Sequence, residues 1–241
     1  MADQRIALVT GANKGIGLEI ARQLMQASVR VIVGARDSQR GQAAADTLSA
    51  EGGHAEAIKL DITDENSIAA AAEHIRQQHG RLDILVNNAG IFDPTDAPPA
   101  TASLKAVCRV METNFIGTLA VTQAMLPLIR VAEKGRIVNL SSSLGSLTLN
   151  GNPASPYYSA QYIGYNASKA ALNMLTVQLA EELKGGGIVV TSVSPGFVKS
   201  DLNNNTGLIS TQEGARLPVH YALHGETSGL FVEPPDNITP W

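Results

Sequence analysis

Two residues with complementary proton chemistry, Tyr165 and Lys169, stand four positions apart. On a helix that spacing places them one turn apart on the same face. An ammonium beside a phenol favours the phenolate, so the tyrosine pKa is expected to fall from its usual value of about 10. The phenol would then be a proton donor and acceptor usable near neutral pH. The same pair arises by chance on many helices, so its meaning depends on what else the chain supplies. Three hydroxyls, Ser141-Ser142-Ser143, follow an apolar run, Gly135–Leu140. An amide, Asn114, lies inside a long apolar-patterned stretch, where it needs hydrogen-bond partners or costs a few kcal/mol. Its bland reading is a satisfied structural asparagine.

A second set of residues suits an anion. Ile6–Val9 is predicted to be a buried strand ending at Thr10. Gly11, Gly15 and Gly17 follow, then Leu18, Ile20, Ala21 and Leu24 at helical spacing. A strand, a glycine turn and a new helix let the backbone approach a ligand and aim free N–H groups at it. A pyrophosphate is the natural occupant, although Gly-x-x-x-Gly-x-Gly departs from the Gly-x-Gly-x-x-Gly fingerprint. The second strand, Arg30–Gly34, runs into Ala35-Arg36-Asp37. An acidic strand end would select the ribose hydroxyls of NAD. Here Arg36, with Lys14 from the glycine turn, offers two cations for a 2′-phosphate, which points to NADP. Asp37 turning inward is the rival reading. Asp61, at the end of the third strand, Ala55–Leu60, could accept from an adenine amino group or cap the next helix.

The elements that must position these groups alternate. A fourth strand, Leu82–Val86, stops at Asn87-Asn88-Ala89-Gly90, whose amides can hold neighbouring strand ends. Ser103 to Arg130 is predicted to be one helix with Leu104, Val107, Cys108, Met111, Phe115, Leu119 and Met125 on its buried face. Pro127 could kink its last turn. Gly135–Leu140 is the fifth strand and Ile188–Val193 the sixth; Gly229–Val232 completes the sheet. Between the serines and Tyr165 lies a loop-like segment with Tyr157, Tyr158 and Tyr162. After Lys169 an apolar stripe that includes Leu172, Met174, Val177 and Leu179 is expected to bury the helix.

Composition narrows the classes. The 241 residues are 44% hydrophobic and 17% charged, as in a globular protein with a large core. Net charge is −4 without a basic run, which gives no footprint for nucleic acid or an anionic membrane. The single cysteine, Cys108, forms no internal disulfide and is expected to pack in the core. Five dispersed histidines lack metal-ligand spacing, so no metal is assigned. Met1–Arg5 is polar, no apolar run reaches membrane-spanning length, and cytoplasm is the expected location.

Six features occur in order: Thr10-Gly-x-x-x-Gly-Ile-Gly17, Asn87-Asn-Ala-Gly90, Asn114, Asn139-Leu-Ser-Ser142, Tyr165-x-x-x-Lys169 and Pro195-Gly196. Together they resemble the short-chain dehydrogenase/reductase family over roughly Arg5 to Glu233. Asn13-Lys14 and Ala35-Arg36-Asp37 resemble its NADPH-dependent carbonyl reductase branch. The resemblance implies an α/β, single-domain Rossmann fold over 1–241 with a doubly wound, seven-stranded parallel sheet. It implies Tyr165 as general acid, Lys169 lowering its pKa and binding the nicotinamide ribose, Ser142 polarising the carbonyl, and Asn114 holding a water that relays protons to Lys169. Ser141 and Ser143 are the fallback for Ser142. Contacts to NADP(H) are expected from Gly11, Asn13, Lys14, Gly15, Ile16, Gly17, Arg36, Asp61, Ile62, Asn88, Ala89, Gly90, Tyr165, Lys169, Pro195, Gly196, Val198 and Ser200.

The implied reaction is reversible reduction of a ketone or aldehyde to an alcohol. Alternatives are a 3-oxoacyl carrier-protein reductase, another alcohol or steroid dehydrogenase, or a non-catalytic NADP(H) sensor. The partner is a small carbonyl or alcohol substrate, with neither nucleic acid nor membrane. One departure stands out: the stretch between Ser142 and Tyr165 is longer than usual for the family, so 149–164 is expected to loop out beside the site. Such an insertion can cover an association face, which leaves a homo-oligomer and a monomer both open.

Overall fold

Short apolar runs bounded by glycine, asparagine or proline become strands, and the amphipathic stretches between them become helices. In the computed structural model, which describes residues 4–241, the strands are β1 (Ile6–Thr10), β2 (Arg30–Ala35), β3 (Ala55–Lys59), β4 (Ile84–Asn87), β5 (Arg136–Leu140), β6 (Val189–Val193), β7 (Leu230–Glu233) and β8 (Asn237–Ile238). The helices are α1 (Gly15–Gln26), α2 (Ser38–Ala50), α3 (Glu65–His79), α4 (Leu104–Met111), α5 (Thr118–Ile129), α6 (Leu147–Gly151), α7 (Ile163–Glu182) and α8 (Thr211–His224). The first residues of the polar Met1–Arg5 stretch lie outside the described ones.

Sheet order is β3-β2-β1-β4-β5-β6-β7-β8. The seven expected strands are parallel, and β8 adds an antiparallel eighth at the edge. The order reverses between β1 and β4, which opens a crevice at their carboxyl ends. One face of the sheet is covered by α1, α2 and α8 through residues such as Ile20, Leu24, Leu48 and Ala222. The other is covered by α3, α5 and α7 through Ile68, Ile75, Met125 and Leu179. Among the described residues no helix is long and apolar enough to cross a membrane.

The expected single helix from 103 to 130 is interrupted. A π-helical segment, Glu112–Gly117, separates α4 from α5. Its wider turn carries buried Asn114 to its partners, and Gly117 packs against the loop after β3, where an added Cβ would come within 2.4 Å of the Ile62 carbonyl. The buried face is also displaced from the expected one. Ala106 and Val110 are buried, whereas Leu104 is 80% exposed and Cys108 is on the surface. The small residues face inward because α4 packs closely against α7, where Gly164 approaches the Val107 backbone. On α7, Met174 and Val177 are exposed too, and the inward face is largely polar: Ser168, Lys169, Asn173 and Thr176.

Those polar groups meet a matching row on the sheet. Asn87, Asn139 and Ser192 stand in register on adjacent parallel strands. Asn87 Nδ2 donates to Asn139 Oδ1 (2.8 Å) and to Thr122 Oγ1 (3.0 Å), and Asn139 Nδ2 donates to Thr176 Oγ1 (2.8 Å). Thr176 and Ser192 hydroxyls are 2.8 Å apart. This buried network ties β4, β5 and β6 to α5 and α7, and so fixes the helix that carries Tyr165.

Candidate active site

The glycine turn sits at the sheet's reversal point. Gly11 and Gly15 have positive φ, +65° and +59°, which a side chain would strain. At Gly17 an added Cβ would lie 2.4 Å from Asn88 Nδ2 and 2.7 Å from the Gly11 carbonyl. Asn88 locks the turn from across the crevice, donating to the carbonyl of Thr10 at 2.8 Å, while the Thr10 hydroxyl accepts from the N–H groups of Asn88 and Ala89. Helix α1 begins here with neither a side-chain cap nor an acidic residue in its first turn. Its N–H groups and dipole therefore face the crevice uncompensated by protein charge, the electrostatics an anion needs. Asn13 is half-buried in the turn, and Ile16 anchors the helix start on the core.

Arg36 is exposed just after β2, beside the same turn, since Ala12 N–H donates to the Gly34 carbonyl at 3.1 Å. Asp37 caps α2 by accepting from the Arg40 N–H at 3.0 Å, which occupies the acidic rival to Arg36. Lys14 pairs with Asp201, 2.7 Å away, from the segment after β6; both side chains are exposed. Asp61 accepts from the Thr63 N–H (3.0 Å) and hydroxyl (2.8 Å), while Asp64 caps α3. Ile62 is buried under Gly117. Gly90 touches the catalytic candidates: an added Cβ would lie 3.3 Å from Asn114 Oδ1 and 3.7 Å from Lys169 Nζ. Pro195 and Gly196 turn the chain out of β6 with φ +84° at Gly196. Beyond them Val198 is buried and pairs with Ile209, and Ser200 leads the 3-10 turn Asp201–Asn203.

Of the three serines, Ser142 is the one whose side chain acts on the Tyr165 phenol, lowering its pKa. The neighbouring serines are committed elsewhere. Ser141 donates to Asn173 Oδ1 at 2.6 Å, and Ser143 bonds Ser194 and the Glu233 carboxylate. Lys169 is 6% exposed; its Nζ donates to the Leu140 carbonyl at 2.7 Å and lies 5.6 Å from the Tyr165 ring centre. Asn114 bridges two elements: Nδ2 donates to the Ile91 carbonyl (2.9 Å) and Ser168 Oγ (3.0 Å), and Oδ1 accepts from the Ile91 N–H (2.8 Å). Both amide protons are used, so a relay at Asn114 has only its oxygens to work through.

The expected fall in the tyrosine pKa is not found. Burial pushes the Tyr165 phenol up to about 12, with the Ser142 hydrogen bond alone pulling the other way. Burial also brings the Lys169 ammonium down to about 8. Desolvation disfavours both charged forms. Among the described residues no cluster of potential metal ligands occurs.

Three contributors carry no sequence motif. Asp96 accepts from the N–H groups of Gly164 and Tyr165 at 3.0 and 2.8 Å. Phe92 packs edge-on against Tyr165, with ring centres 5.8 Å apart. Glu233 gathers Ser143 and the Tyr157 hydroxyl, which ties the segment before Tyr165 to β7. That segment holds α6, which is also bound to the carboxyl-terminal tail: Thr148 N–H donates to the Trp241 carbonyl at 3.0 Å.

Known proteins resemble this chain in sequence and fold. The short chain dehydrogenase family model matches residues 5–208. Among curated relatives, (+)-neomenthol dehydrogenase of Arabidopsis thaliana is 35% identical over 94% of this chain and 95% of its own. Carbonyl reductase [NADPH] 1 of Homo sapiens is 35% identical, covering 90% of each chain. Among solved structures, the NADPH-bound carbonyl reductase from chicken fatty liver superposes with a TM-score of 0.86 at 31% identity, over 99% of each chain. The chain belongs to the short-chain dehydrogenase/reductase family.

Proposed function

We propose that this protein is an NADPH-dependent carbonyl reductase that interconverts a ketone or aldehyde and the corresponding alcohol. The observation that carries the reading is buried Lys169 lying 5.6 Å from the Tyr165 ring, with Ser142 acting on the same phenol, next to an anion cradle at the sheet's reversal point. The cradle fits a dinucleotide: Gly17 leaves no room for a side chain, and the α1 N-terminus has no capping group of its own. Gly11, Asn13, Gly15, Ile16 and Gly17 would hold the pyrophosphate, Asn88 and Ala89 would line the adenosine side with Asp61 and Ile62, and Gly90 would sit beside Asn114 and Lys169. Arg36 and Lys14 would take the 2′-phosphate. Pro195, Gly196, Val198 and Ser200 would meet the nicotinamide end. NADPH supplies the hydride when bound there. The relatives named as NADPH carbonyl reductases support the choice of cofactor and of reaction.

The chain's own residues handle the proton. Tyr165, protonated at neutral pH, donates to the carbonyl oxygen as negative charge develops on it. Ser142 donates a hydrogen bond to the same oxygen. With its pKa brought to about 8, Lys169 is still mostly protonated at neutral pH, so its ammonium can stabilise the phenolate that Tyr165 becomes. Asn114 holds Ile91 and Ser168 around Lys169 and offers its oxygens to a relay water. The (+)-neomenthol dehydrogenase relative favours a second reading, in which the same groups oxidise a secondary alcohol.

NADPH oxidation measured against a panel of ketones and aldehydes tests the reading. Tyr165→Phe should bind NADPH like the wild type and lose turnover at least about a hundredfold. Full turnover in that variant would overturn the assignment of Tyr165.

A further inference from the structure

Helix α7 lacks a cap of its own. Its N-cap position is Tyr162, whose side chain makes no capping hydrogen bond. The first-turn N–H groups would be orphaned at a wall of the active site unless something else accepted from them. The chain supplies acceptors from a loop far away in sequence. The Ile163 N–H donates to the Ala97 carbonyl at 3.2 Å, the Gly164 N–H to Asp96 Oδ1 at 3.0 Å, and the Tyr165 N–H to Asp96 Oδ2 at 2.8 Å. One carboxylate, 7% exposed and 69 positions before Tyr165, therefore holds the backbone of that residue directly. Glycine at 164 admits it, since an added Cβ would lie 3.1 Å from Asp96 Oδ2.

The loop is itself braced. The Asp96 N–H donates to the Asp93 carbonyl at 2.9 Å. Asp93 Oδ1 accepts from the Thr95 N–H and hydroxyl, and its other oxygen pairs with Arg109 of α4. At the start of the same loop, the Phe92 ring sits edge-on to Tyr162 and Tyr165, at 5.1 and 5.8 Å between centres. Both ends of Tyr165, its N–H and its ring, are thus set by residues 92–96.

We propose that Asp96 is a positioning residue for Tyr165, a remote helix cap that sets where the phenol stands relative to Ser142 and Lys169. This rests on the reading of Tyr165 as proton donor. The carboxylate touches no reacting atom; it acts through the backbone of the residue that does. A remote cap makes chemical sense here because the site requires Tyr165 within the first turn of α7, where a fraying helix end would let the phenol wander. An ångström of misplacement in a catalytic group costs on the order of a hundredfold in rate.

Asp96→Ala and Asp96→Asn, assayed with NADPH and 4-nitrobenzaldehyde, test the proposal, with hydrogen exchange and NADPH binding by fluorescence measured alongside. Asp96→Ala is expected to lower kcat by about 10- to 100-fold while leaving the NADPH Kd within about twofold. Asp96→Asn keeps the shape and one acceptor oxygen, so it should recover part of kcat. Amide exchange at 163–165 should quicken at least about tenfold in Asp96→Ala and less in Asp96→Asn. On a Tyr165→Phe background, Asp96→Ala should cost nothing further. Faster exchange with wild-type kcat would make the cap purely structural and overturn the proposal, as would unchanged exchange and kcat together. A kcat loss matched by an equal loss of NADPH binding would also overturn it. Should Asp96→Ala not fold, Asp96→Asn decides alone by the same criteria. If instead Tyr165→Phe keeps full turnover, the functional reading fails, whatever the Asp96 variants do.

Discussion

Replacing Lys169 with methionine tests the electrostatics of the site through stability alone, without a substrate. The side chain is 6% exposed, and burial brings its pKa from 10.5 to about 8. A lowered folded-state pKa means that the unfolded chain binds more protons between about 8 and 10.5, so stability rises with pH across that window. Each pKa unit corresponds to about 1.4 kcal/mol, so the full shift is worth roughly 3 kcal/mol. About 2–3 kcal/mol of it should be recovered between about pH 7 and 10, before Tyr165, raised to about 12, adds an opposing slope. Lys169→Met has no such charge. It loses the hydrogen bond to the Leu140 carbonyl, a pH-independent cost of about 1–3 kcal/mol. At pH 7 the two effects nearly offset, and the variant should be close to the wild type. At pH 10 it should be less stable by about the full value of the lost hydrogen bond. Urea unfolding of both proteins at several pH values gives the difference directly. A difference constant from pH 7 to 10 would refute the claim that Lys169 sits desolvated in the folded state.

Gly17→Ala should weaken NADPH binding at least about tenfold and lower the melting temperature, because the new methyl meets Asn88 Nδ2 and the Gly11 carbonyl; fluorescence titration and calorimetry read both. Asn139→Leu should destabilise by about 2–4 kcal/mol in urea, since Asn87 and Thr176 lose a buried partner at a position with no solvent access. Arg36→Asp should shift the NADPH-to-NADH ratio of kcat/KM toward NADH by about tenfold or more, because two units of charge change beside the 2′-phosphate. An unchanged ratio would remove Arg36 from that role.

Most of the parallel strands could be read from the chain because they are near-continuous apolar runs, which mark strands buried on both faces, while β3, with Glu56 and Lys59, is the half-buried edge strand. β8 could not: Asn237–Ile238 is too short to have a period. The π-helical segment was equally hidden, since the residues from Glu112 to Gly117 look like ordinary helix, and only the partners of Asn114 give the wider turn its reason. The same blindness misassigned faces. Leu104, Cys108, Met174 and Val177 are apolar yet exposed, while Ala106, Asn114, Ser168 and Asn173 are buried. Hydrophobic periodicity finds the inward face only where the core is apolar. Beside the site the core is built of small and polar side chains that satisfy one another across strands.

Site legibility divides along the same line. Ser142, Tyr165, Lys169 and the glycine turn stand in local motifs, and their neighbours in sequence explain them. Asp96 and Glu233 have no local signature, because their partners lie 69 and 90 positions away. One clue to Asp96 was present: Gln161-Tyr162 precedes the helix start without a serine, threonine, aspartate or asparagine where a cap belongs. A helix that begins without a cap, and carries its reactive residue in the first turn, must borrow one. Spacing alone also misjudged the titration of the Tyr165–Lys169 pair, because four positions on a helix define a distance but not a dielectric. Burial works against both charges. On the proposed reading, the protonated phenol is the form from which reduction of a carbonyl would begin, and the lysine would lend its charge to the phenolate left after the proton departs.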